Sequence, residues 1–155
     1  MHLHRFEKIW LMVGGATLVL FLIVLSVNAY AMGMMPPSHM KMIDPKKVDE
    51  TAPFDNLGLH KTGDNEYDLV MTSFIFTFQP NQIEVPVGAK VKFVVTSKDV
   101  VHGFEIPKTN VNIMVLPGHI SEVTHTFDKP GTYLILCNEY CGAGHQLMAA
   151  TIVVK

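Results

Sequence analysis

Apolar and polar positions divide this chain into two unlike parts. From Ile9 to Met40 there is no Asp, Glu, Lys or Arg. The run Ile9 to Met35 reads as one helix, about 40 Å long at about 1.5 Å per residue, more than a hydrocarbon core of about 30 Å requires. Pro36-Pro37 then ends the ladder of backbone hydrogen bonds. Beyond a proline-containing stretch the pattern shortens to strands. Glu66 to Phe78 is rich in β-branched and aromatic residues, with Phe74, Phe76 and Phe78 alternating as one strand face would. Gln82–Val85 and Lys90–Thr96 flank a Pro86-Val-Gly88 turn. Ile120–Phe127 follows Pro117-Gly118, and Gly131–Leu136 follows Pro130. Met148–Val154 reads as the last strand. Short strands with Gly/Pro punctuation predict a β-sandwich.

The expected division is a cytoplasmic lead over 1–8, a transmembrane helix over 9–35, a linker over 36–53 and an all-β domain over 54–155. Arg5 and Lys8 precede the apolar span, as a cytoplasmic N-terminus requires, although Lys41, Lys46 and Lys47 follow it and weaken the bias. Ala29-Tyr30-Ala31 looks like a signal-peptidase site. The apolar run is longer than a secretory h-region, so a retained anchor is the expectation. Net charge is −2, and residues 54–155 carry seven Lys/Arg against ten Asp/Glu. Nothing in that balance suggests nucleic acid as a partner, and so mild a bias allows a basic protein partner without demanding one.

The chemistry lies near the end. Cys137-Asn-Glu-Tyr-Cys141-Gly-Ala-Gly-His145-Gln-Leu-Met148 gathers both cysteines of the chain, a histidine and a methionine into twelve residues. Thiolate, imidazole and thioether donors together favour copper over hard cations. Two other readings stay open. A disulfide suits cysteines outside the cytoplasm but would close a very small loop. Zinc accepts Cys and His, but methionine is a poor fourth donor for it.

The run from Cys137 to Met148 resembles the copper A loop of cytochrome c oxidase subunit II, C-x-E-x-C-G-x-x-H-x-x-M, at every fixed position. Asp99-Val-Val-His102 resembles the second motif of that family, Asp-x-x-His. The resemblance implies a cupredoxin-like Greek-key β-sandwich with one N-terminal transmembrane helix. It implies that Cys137 and Cys141 bridge two coppers, that His102 and His145 bind one each, and that Met148 and the Glu139 carbonyl are weak ligands. A magnesium ion between subunits at the Glu139 side chain is a further implication. Asp99 is either a partner of His102 or a turn residue. The partners implied are a haem-bearing subunit I, cytochrome c or a similar electron donor, and membrane lipid. The location implied is the plasma membrane, with the copper domain on the outer, periplasmic side.

The lead Arg5-Phe-Glu7-Lys8-Ile-Trp10 and the segment Phe78-Gln-Pro-Asn-Gln-Ile-Glu-Val look like the shorter subunit II of B-type haem–copper oxidases. Glu7 then matches an acid at the mouth of a proton path, or simply flanks the helix. Trp10 suits a membrane-interface anchor. The chain has no C-x-x-C-H motif, so any haem belongs to another subunit. The alternatives are a copper A subunit of a nitric oxide reductase and a membrane-tethered copper-delivery protein. His119 and His125 read as ordinary histidines. The methionines between Met32 and Met42 read as filler at the membrane end, or as a transient Cu(I) site.

Overall fold

The computed structural model describes residues 4–31 and 41–155. The methionine-rich segment, apart from Met42, and the Pro36-Pro37 stop lie outside the described residues. The chain forms two compact units, dividing after Met35.

The first unit is α1, Arg5–Ser26, continued by a π-helical turn over Val27–Ala31. Its start is set by a capping box. The His4 ring accepts from the Phe6 amide, and Glu7 Oε2 accepts from the His4 amide at 2.7 Å. Glu7 is therefore engaged as a helix cap. The helix from Arg5 to Ala31 is long and apolar enough to cross a membrane. The Thr17 hydroxyl donates to the Val13 carbonyl at 2.8 Å and is thus satisfied within the helix.

The second unit is a sandwich of eleven strands: β1 Lys41–Met42, β2 Gly58–Gly63, β3 Glu66–Phe74, β4 Thr77–Gln79, β5 Gln82–Val85, β6 Lys90–Ser97, β7 His102–Glu105, β8 Asn112–Val115, β9 His119–Thr126, β10 Gly131–Leu136 and β11 Ala149–Val154. One sheet runs β1-β9-β6-β3-β2, with β4 folded back on β3; the other runs β5-β11-β10-β7-β8. Two pairs are parallel, β3 with β6 and β5 with β11. This is the cupredoxin-like sandwich expected.

Between the sheets lies the main core. Inward positions of β5, β8 and β11 alternate strictly, burying Ile83, Val85, Ile113, Val115, Ala150, Ile152 and Val154. Phe78, Phe93, Phe104 and Phe127 pack through tilted and edge contacts, with centroids 5.5–6.3 Å apart. β3 and β6 are buried on both faces. Leu69, Met71, Phe93 and Val95 point to the main core, whereas Val70 and Val94 point outward into a second cluster with Ile43, Val48 and Phe54. The second cluster corrects the expectation of a linker up to residue 53. β1 pairs with β9, and Pro45–Glu50 form a 3-10 helix capped by Asp44, so this stretch covers the outer face of the first sheet.

The strand expected over Glu66–Phe78 is in fact a hairpin. Phe74 pairs with Thr77, leaving Ile75-Phe76 as a two-residue turn. Its three phenylalanines therefore do not share a face: Phe78 is in the core, Phe76 is half-buried and Phe74 lies under Lys98 at 5.4 Å. β7 and β8, absent from the sequence-based strand set, form a second hairpin beside β10.

Candidate metal centre

β10 and β11 are adjacent antiparallel strands, and Leu136 faces Ala149. The twelve residues 137–148 therefore leave and re-enter the sheet at one point. The Cys137 amide closes that neck by donating to the Met148 carbonyl at 3.3 Å. Within the loop, Gly142 takes φ 130°, a conformation open to glycine and strained for other residues. A 3-10 turn over His145–Leu147 follows and is built by His145 N–H to Gly142 O and Leu147 N–H to Gly144 O.

His102 is the first residue of β7 and is fully buried. β7 pairs with β10 through Glu105 and Leu136. Gly103 lets the cysteine loop close over β7. A Cβ there would run into the Asn138 side-chain oxygen and would meet the Asn138 and Glu139 backbone nitrogens at 2.7 and 2.8 Å. Asn138 also donates to the Asn112 side chain at 3.1 Å, tying the loop to β8.

The donor atoms converge. Those of His102, Cys137 and Cys141 all lie within 4.8 Å of one another. The two sulfurs are 3.7 Å apart. A disulfide needs about 2.05 Å, so both thiols are free. Around them the other groups fall into two sets. Cys137 Sγ faces His102 Nδ1 at 4.0 Å and donates to the Glu139 carbonyl at 3.2 Å. Cys141 Sγ faces His145 Nδ1 at 3.6 Å and Met148 Sδ at 3.7 Å. All six residues singled out in the sequence thus meet at one place. Glu139 contributes its backbone oxygen while the residue itself is exposed. His119 and His125 are engaged elsewhere, with the Pro117 carbonyl and the Asn110 side chain.

Asp99 is a partner of His102. Its Oδ1 accepts from His102 Nε2 at 2.8 Å and from the Val100 amide at 2.6 Å, while Oδ2 accepts from the Ile75 amide at 2.6 Å. Burial would raise this carboxyl, but the hydrogen bonds from His102, Val100 and Ile75 outweigh it and hold the carboxyl below its ordinary range. A carboxylate accepting at Nε2 places the proton there, so the Nδ1 lone pair is directed at Cys137. Cys141 is pushed the other way, up to about 11, by burial first and then by its hydrogen bond and charge interaction with Cys137. A bound metal must displace that proton.

Six donors in two sets of three exceed the four of a tetrahedral zinc site. Two sulfurs between two imidazoles, with a thioether and a carbonyl at the flanks, form a soft donor set that fits copper. Sequence reasoning gave no role to Gly103 or Asn138, because their contacts join segments distant along the chain. Phe76 was read only as part of one strand face; its ring lies against Gly142 and Gly144 of the cysteine loop.

Residues 51–155 match the family described as cytochrome C oxidase subunit II, periplasmic domain. Over 154 residues the chain is 44% identical to cytochrome c oxidase subunit 2 of Thermus thermophilus, covering 97% of this chain and 92% of that protein. Its structure superposes with a TM-score of 0.79 on a chain of a haem–copper terminal oxidase dimer solved by cryo-electron microscopy, at 32% identity, over 97% of this chain and all of that one. The crystal structure of the periplasmic domain of subunit II of the Bradyrhizobium japonicum cytochrome oxidase aligns at a TM-score of 0.53 and 25% identity, over 57% of this chain and 83% of that one. With the full-length likeness, the sandwich and the apolar helix all agreeing, the chain belongs to the cytochrome c oxidase subunit II family, as a membrane-bound subunit of a haem–copper oxidase.

Proposed function

We propose that this subunit is the electron-entry point of its oxidase, through a dinuclear copper A centre held by His102, Cys137, Glu139, Cys141, His145 and Met148. The observation that carries the reading is the division of donors about the paired thiols: His102 and the Glu139 carbonyl on the Cys137 side, His145 and Met148 on the Cys141 side. When bound, such a copper pair supplies a one-electron store whose charge is spread over two metals.

The residues do the rest. Asp99 fixes the tautomer and angle of His102. The neck between Cys137 and Met148 holds both ends of the loop to the sheet, so the donors keep their places whichever redox state is present. Burial of Cys137, Cys141, His102 and Met148 keeps water from the sulfurs. His145 is only half-buried, and beside it Tyr140 and Leu147 are 80% and 77% exposed, which places an apolar surface next to the donors. Electrons arrive there from cytochrome c or a similar small carrier and pass to a haem in subunit I, where oxygen is reduced to water. In this reading the N-terminus is cytoplasmic, residues 9–35 span the plasma membrane, and the copper domain stands on the periplasmic side.

Paramagnetic resonance of the full chain, purified in detergent, loaded with copper and oxidised, tests the proposal. One unpaired electron split by two copper nuclei is expected. One copper per chain with a mononuclear or silent spectrum overturns it and favours copper delivery. The exposed Glu139 side chain is further proposed to reach a magnesium ion shared with another subunit. Glu139→Gln in the whole complex is then expected to lower its magnesium content while leaving the copper spectrum in place; unchanged magnesium removes that part.

A further inference from the structure

We propose that Phe76 is a positioning residue of the metal centre: its ring sets the segment Cys141-Gly142-Ala143-Gly144-His145, and Asp99 couples that segment to His102. The inference deepens the copper reading and rests on it for its metal readouts.

The argument begins with Gly144. Its φ of −97° is open to every amino acid, so its own backbone gives no reason for a missing side chain. The reason is steric. A Cβ on Gly144 would run into Phe76 Cδ2 and would meet Cγ and Cε2 at 2.6 and 2.9 Å. Gly142 touches another part of the same ring, where a Cβ would meet Cε1 and Cζ at 3.0 and 3.1 Å. The ring is therefore seated against both glycines between Cys141 and His145. Glycine-rich backbone has the most freedom to lose on ordering. A flat, rigid ring pressed on two glycines restricts that freedom where the Cys141 Sγ to His145 Nδ1 separation of 3.6 Å is set.

The ring is itself held. Phe76 packs against the main core, and its neighbour Ile75 donates its amide to Asp99 Oδ2 at 2.6 Å. The other oxygen of Asp99 accepts from His102 Nε2. One carboxylate thus holds a histidine on one side of the site and, through the β3–β4 turn and Phe76, the loop that carries the other. A side chain acting only as core filler would not need the facing loop residues to lack Cβ atoms.

The test uses the full chain in detergent. Phe76→Leu is expected to alter the copper hyperfine pattern and to speed copper loss to a chelator about ten-fold or more, the scale usual for residues supporting metal ligands. The unfolding midpoint of the metal-free protein should move little. Gly144→Ala reaches the same contact from the loop side and is expected to give the same two changes. Adding Phe76→Leu to Gly144→Ala should restore part of the copper retention, because the smaller side chain makes room for the new methyl. A wild-type spectrum and wild-type copper retention in either folded single variant overturns the proposal, and Gly144→Ala decides alone if Phe76→Leu does not fold. Proton magnetic resonance of the metal-free chain separates this idea from the copper reading. Ring-shifted α-protons of Gly142 and Gly144 that return to ordinary positions in Phe76→Leu support the packing even if wild type binds a single ion. Unshifted protons in wild type overturn it.

Discussion

His102 begins a strand and is fully buried, whereas His145 sits in a single 3-10 turn behind a glycine and is half-buried. The first is fixed by the sheet and by a carboxylate. The second faces Cys141 from a loop whose shape depends on what packs beneath it. The contrast shows how one site combines two demands. The strand-held side supplies rigidity. The loop-held side brings a donor close to the surface, beside exposed Tyr140 and Leu147, the face at which the proposed function has electrons enter.

The most severe way to break this contrast is to remove what the two sides share. Cys137→Ser or Cys141→Ser is expected to abolish the two-nucleus spectrum entirely and to leave at most one copper per chain by metal analysis. A persisting pair signal in either variant would remove the sulfurs from the centre. Next comes Gly103→Ala, aimed at the strand-held side alone. Its methyl has no free space against Asn138 and Glu139, so urea unfolding should show a loss of about 1–3 kcal/mol, the range for overpacking a tight contact. An unchanged midpoint would show that the loop yields there. Asp99→Asn sharpens the comparison. It removes the charge that orders His102 and is expected to speed copper release about ten-fold, measured against a chelator, with the metal-free fold retained.

The smallest effect lies away from the site. His125 is held below its ordinary value by burial, with Asp128 partly opposing. The unfolded chain therefore takes up this proton first. Its contribution to stability is present above about pH 6.5 and is lost as pH falls through the lower folded value. Unfolding curves between pH 7.5 and pH 5 should lose part of their pH dependence in His125→Gln; an identical slope would show that His125 titrates as it does in the unfolded chain.

Much of this was legible in the chain itself. The limits of Gln82–Val85 and Gly131–Leu136 could be read because proline, glycine and apolar alternation bound them locally. The cysteine loop was legible because five of the six donors fall within twelve residues. His102 required a second motif, and the strand it begins was missed: β7 is four residues long and carries a glycine, so its pattern is too short to register. The hairpin within Glu66–Phe78 was missed for another reason. Its turn, Ile75-Phe76, contains neither glycine nor proline and is held by Asp99, 24 residues further on. The same distance hid Phe76. Its sequence context is that of a core aromatic, and only the third dimension sets it against Gly142 and Gly144.

The parallel pairing of β5 with β11 bears on biosynthesis. In its sheet β5 has no neighbour except β11, and β11 follows directly on Met148. While residues 149–154 are still inside the ribosome, one edge of the sandwich stays open and the thioether has no anchored location. Loop closure over such a separation is slow compared with hairpin formation. A chain cut before Ala149 is therefore expected to leave β5 unpaired and the Met148 end of the donor loop without its strand.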